Sequence, residues 1–116
     1  MAEKKKVLVL VKRPPFGSEH AGEALRLAVG LTLADNNEIT VALVGDGVGL
    51  LRELDPSAIA ALEVKKHLDA LQMLGVKLVA EAESLEAGDI RQSRAQSISH
   101  RDLLRLIDEA EVVIPF

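Results

Sequence analysis

Cysteine is absent from this 116-residue chain. That absence removes disulfides, thiolate nucleophiles and Cys-ligated metals from the chemistry open to it. Tryptophan and tyrosine are missing too, and aromatic residues make up only 2% of the chain, as Phe16 and Phe116. Modules that stack nucleobases need aromatic platforms. A net charge of −4 is also the wrong sign for holding a phosphate backbone. Direct nucleic-acid binding is therefore not expected, and Lys4-Lys5-Lys6 reads as a solubilising edge. The apolar run Val7–Val11 is too short for a signal peptide or a membrane span. The expected location is cytoplasmic, with no membrane partner.

What is present is an apolar, globular composition: 48% hydrophobic and 28% charged residues, on a length suited to a single domain over residues 1–116. Val7–Val11 is β-branched and leucine throughout, the mark of a strand covered on both faces. Ser18 is placed to cap a helix over about residues 19–34. Its small or polar positions Glu19, Gly22, Glu23, Arg26 and Gly30 form one narrow stripe, and the remainder is apolar nearly all round. That is more than one sheet face should need, and close backbone packing is the expected reason for Gly30.

Asp35-Asn36-Asn37 ends that helix, and Ile39–Val44 is a second buried strand. Asp55-Pro56 opens a second helix running to about Leu74, with Leu62, Val64, Leu68 and Leu71 inward and Gly75 just past its end. Val76–Ala80 is a third strand. Residues 81–97 are polar and read as a loop with a short helix. Ser99 with Asp102 reads as a capping-box variant, starting a helix that carries Leu103, Leu104, Leu106 and Ile107. Val112–Ile114 is the last strand. Apolar strands alternating with helices predict a three-layer α/β/α sandwich, flavodoxin- or Rossmann-like, with a mainly parallel sheet of four to five strands.

In such sheets, sites form beyond the carboxyl ends of the strands. Three loops qualify: 12–18, 45–49 and 81–88. Lys12 and Arg13 precede a helix start, where charge and helix dipole would add toward a small anion. Phe16, Ser18 and the turn Gly45-Asp46-Gly47 complete that candidate pocket, since glycine-rich turns bring backbone N–H groups close to phosphates. The turn is not a dinucleotide fingerprint, however, and a tight strand-to-helix connection is the competing reading. His20, His67 and His100 match no zinc spacing, so no metal is expected, and no cofactor is indicated. Glu81, Glu83 and Glu86 form an acidic run that reads as solvated loop, with acid–base work as the alternative. A phosphorylated receiver domain would want acidic residues after the first strand, and a flavodoxin would want flavin-flanking aromatics. The chain has neither.

The run VLVLVKRPPFGSEHAGEALRLAVGL together with VALVGDGVGLL resembles the DsrE/DsrF-like family. These are small sulfur-relay proteins of the TusBCD and DsrEFH type. The Pro-Pro-Phe-Gly-Ser turn and EALRLA are most similar to the DsrF/TusC branch. Val112-Val113-Ile114-Pro115-Phe116 resembles the family's closing strand, so the likeness covers essentially the whole chain.

Catalytic relatives carry cysteines after the third strand. The matching register here reads AEAESLEAGDI from Ala80, with Glu81 and Ser84 at the cysteine positions. A carboxylate or hydroxyl cannot carry a transferable sulfane sulfur, which needs a thiolate able to form and break S–S bonds. The resemblance thus implies a non-catalytic subunit with an assembly or docking role in sulfur relay or sulfur oxidation. It would be a homo-oligomer, trimer or hexamer, or a hetero-oligomer with cysteine-bearing relatives. The apolar surplus of the first helix fits such an interface. The competing expectation is a small-anion or nucleotide-binding protein, or a carboxylate-based enzyme, using the same fold.

Overall fold

The computed structural model describes residues 5–12, 20–32, 37–51, 59–88, 90 and 95–116, with backbone alone for 20–22, 50 and 59–65. The elements run β1 (Lys5–Val11), α1 (His20–Thr32), β2 (Asn37–Leu43), a 3-10 helix (Gly45–Leu51), α2 (Ile59–Met73), β3 (Lys77–Glu81), α3 (Ala82–Ala87), β4 (Gln96–Ile98), α4 (His100–Glu109) and β5 (Val112–Pro115). The strands form one sheet in the order β4-β3-β2-β1-β5, and every pairing is parallel. The expected α/β sandwich with a parallel sheet is what the chain forms.

Alternate residues of each strand face opposite sides, and they divide the core in two. Val7, Val9, Val11, Ile39, Val41 and Leu43 pack with Ala24, Leu25 and Ala28 of α1 and with Leu68 and Leu71 of α2. Leu8, Ala42, Val79 and Ile98 pack with Leu103 of α4 on the other side. Leu85 of α3 belongs to the first cluster. The division follows from chain direction. β1 to β4 advance steadily across the sheet, and right-handed crossovers put their connecting helices on one face. From β4 the chain must return past three strands to reach β5, so α4 crosses on the opposite face.

Several local expectations need correction. Part of the polar stretch 81–97 is a strand: Val79, Ala80 and Glu81 pair with Gln96, Ser97 and Ile98. It is an edge strand of three residues, too short for any period to show. The sequence left open which leucines of α4 turn inward, and the structure buries Leu103 and leaves Leu104 52% exposed. Gly30 is not closely packed within the chain, because a Cβ there would meet nothing within 4 Å. Part of the apolar surplus of α1 is covered within the chain, while Leu27, Val29 and Leu31 stay half-buried. That helix packs against α2 as well as the sheet, leaving Glu23, Arg26 and Gly30 to solvent. A helix with two covered sides needs a wide apolar arc.

Other local readings hold. The Ser99 hydroxyl accepts from the Asp102 N–H at 3.1 Å and caps α4. Gly75, with φ +73°, follows the end of α2. The expected caps at Asn36 and Asp55-Pro56, and the side chains of Leu62 and Val64, lie outside what the structure describes.

Candidate functional site at the β3/β4 crevice

The connections leaving β3 and β4 go to opposite faces of the sheet, since α3 joins the α1/α2 side and α4 the other. Adjacent strands whose connections diverge leave a crevice at their carboxyl ends, where open α/β sheets place their sites. Glu81 is the last residue of β3, Ser84 lies in the first turn of α3, and His100 begins α4. All three converge on that crevice.

Glu81 is the hub. Its Oε1 accepts from the Ser84 hydroxyl, and its Oε2 lies 2.6 Å from His100 Nδ1. Ser84 Oγ in turn accepts from the Gly45 N–H at 3.0 Å. The His100 backbone N–H donates to Glu83 Oε2 at 2.9 Å, which sets a carboxylate on the positive end of α4. The first turn of the 3-10 helix, the start of α3 and the start of α4 are thus joined through four side chains.

The electrostatics follow from these bonds. The hydrogen bond from Ser84, and then that from His100, hold the Glu81 carboxyl below its ordinary value, outweighing partial burial that acts the other way. The hydrogen bond to Glu81 raises His100 above its ordinary value. Near neutral pH the pair is therefore biased toward carboxylate and imidazolium. A carboxylate stabilised in this way is a weak general base, and Ser84 is not activated by an adjacent imidazole. The arrangement lacks the nucleophile–base–orienter order of a hydrolytic triad, in which histidine stands between serine and acid.

The second candidate group assembles only in part. Gly47 packs directly on the end of β1, where an added Cβ would lie 2.1 Å from the Val11 carbonyl oxygen and 3.3 Å from the Lys12 nitrogen. Lys12 is exposed beside it, and the Lys12 N–H donates to the Phe116 carbonyl at 2.9 Å. Asp46 is exposed. Two of the turn's N–H groups already have partners inside the chain: Gly45 donates to Ser84 and Gly47 to the Val44 carbonyl at 2.9 Å. They are not presented to an anion. Arg13, Phe16 and Ser18 lie outside the described residues.

No group of three or more histidines and carboxylates among the described residues is arranged to hold a metal ion. None of the described helices is long and apolar enough to cross a membrane. A cleft of about 150 Å³ lined by Lys6, Glu38, Thr40, Lys77 and Glu109 opens at the amino ends of the strands, away from the crevice.

His100 is the site residue that sequence reasoning missed. The Ser99 cap places it at the start of a helix, but only recognition of β4 would have set that helix beside the end of β3.

Parallel strand order, face assignment and the polar crevice together define a small open α/β protein with a candidate site at the carboxyl edge of the sheet. The family model for the DsrE/DsrF-like family matches residues 5–116, and the chain belongs to that family. The crystal structure of ychN protein from E. coli is similar in fold, with a TM-score of 0.80 at 23% sequence identity over 97% of this chain and 99% of that one. No curated protein matches.

Proposed function

We propose that this chain is a non-catalytic DsrE/DsrF-like subunit with an assembly or docking role in a sulfur-relay or sulfur-oxidation system. The observation that carries this reading is the chemistry at the crevice. The positions resembling the family's cysteines are Glu81 and Ser84, bonded to each other and to His100. No thiol is available there, and none exists elsewhere in the chain, which has no cysteine. Group transfer through a persulfide requires one.

The subunit acts in the cytoplasm, as a homo-oligomer or with cysteine-bearing relatives. Exposed apolar side chains on the α4 side of the sheet support a contact surface: Leu104 on α4 and Val113 on β5. Val113 pairs in register with Leu8, so it lies on the face covered by α4, at the sheet edge. These residues join the outer side of α1 as candidate interface.

Native mass spectrometry of the tagged chain recovered from its host tests the proposal. Stoichiometric co-purification with a small cysteine-bearing relative is expected. Absence of any complex on mixing with such relatives, together with no effect on sulfur transfer between them, would overturn it. A homo-oligomer carrying a bound small anion would favour ligand binding instead.

A further inference from the structure

The side chains across the β3/β4 crevice form a connection whose strength depends on one proton. Glu81, Ser84 and His100 come from β3, α3 and α4, and the Ser84 hydroxyl reaches the Gly45 N–H of the 3-10 helix. Three loops that could otherwise move separately meet in this chain of bonds. It contains one group that titrates near neutrality, and that group is solvent-accessible, with a side chain 59% exposed. Glu81, only 14% exposed, is shielded beneath it.

We propose that Glu81, Ser84 and His100 act as a proton-controlled clasp on the crevice, closed while the imidazole is doubly protonated and loosened when it becomes neutral. The protonated ring carries a hydrogen on Nδ1 whatever the tautomer of its neutral form, and its charge opposes that of the carboxylate. The neutral ring keeps only a tautomer-dependent hydrogen bond and loses the Coulomb attraction. Glu81 then depends on Ser84, and the restraint on Gly45 through Ser84 weakens.

Among the described residues, the charged groups bearing on His100 are few. Glu81 of β3 and Glu83 of α3 both favour the imidazolium. Asp46 flanks Gly45 on the 3-10 helix, and Arg101 and Asp102 follow on α4 itself.

The direction of the pH effect is fixed by the two shifts. His100 is raised on folding, so its contribution is complete below the unfolded value of about 6.5 and is lost as pH rises through the folded value. Glu81 is lowered, so its contribution is present above the ordinary carboxylate value and lost as pH falls through the folded one. The clasp is closed between these limits. This inference does not rest on the sulfur-relay reading, and its failure would leave that reading standing.

The test is NMR on the isotope-labelled full chain over about pH 5 to 9, following the His100 ring and the hydrogen-exchange protection factor of the Gly45 amide. Protection factors remove the intrinsic pH dependence of exchange. His100 should titrate above about 6.5, and Glu81→Gln should bring it back toward that value. Gly45 protection should fall several-fold as His100 loses its proton, and in His100→Gln it should be low throughout. An ordinary His100 titration, or Gly45 protection that ignores both pH and His100→Gln, would overturn the proposal. His100 is exposed and caps nothing with its side chain, so the variant should fold.

Discussion

The two faces of the sheet are built to different standards. One is covered by α1 and α2, which also cover each other, and its core includes the fully buried Leu25, Leu43 and Leu71. The other is covered by α4, whose only fully inward leucine is Leu103. The reason is topological. Three successive crossovers share the first face, whereas the single return from β4 to β5 must cover the second. On that side Leu104, on the outer side of the helix, and Val113, at the sheet edge, are exposed. The two-helix face holds the larger core, and the one-helix face is closed by fewer inward side chains.

Truncating one leucine on each face should sharpen this comparison most. Leu25→Ala on the two-helix face should cost about 3–5 kcal/mol, and Leu103→Ala on the one-helix face about 2–3 kcal/mol, because a site near the surface collapses more easily. Urea unfolding of both variants checks the order. Equal losses would mean that α4 closes its face as tightly as α1 and α2 close theirs.

Gly47→Ala should follow at about 2–3 kcal/mol, since the new methyl cannot share space with the Val11 carbonyl unless the backbone moves. Thermal unfolding would show it, and a neutral result would mean that the turn re-forms away from β1. Ser99→Ala removes the α4 cap and should cost about 1 kcal/mol. Its effect should appear as faster amide exchange in the first turn of α4, on the weaker face.

Gly30→Ala is expected to stabilise the isolated chain by about 0.5–1 kcal/mol, because α1 gains helix propensity and the methyl meets nothing within 4 Å. The same substitution should leave assembly unchanged if Leu104 and Val113 form the interface. Loss of oligomer on sizing would instead identify the outer side of α1 as a contact.

Legibility in the sequence differed between the faces as well. The strands β1, β2 and β3 announced themselves as continuous apolar runs because both of their faces are buried. The start of α4 was readable from Ser99 and Asp102, since a cap is a contact between residues three apart. Gly75 was readable for the same reason. Which of the two adjacent leucines in HRDLLRLIDE turns inward is not legible in the sequence, and only the packing against Leu8 and Val79 selects Leu103. At the site, Glu81 and Ser84 were found through the family resemblance. His100 was not, because its link to Glu81 spans 19 residues and runs through a strand too short to carry a pattern.

The sequence by itself determined the layer architecture, the absence of a thiol, the start of α4 and the end of α2, because those depend on composition and on contacts within a few residues. Tertiary structure alone decided that part of the surplus apolar surface of α1 faces α2, that Leu104 and Val113 are left open, and that Glu81 meets His100. These outcomes depend on which strands become neighbours and on which face each crossover takes. The chain's return from one edge of the sheet to the other sets both.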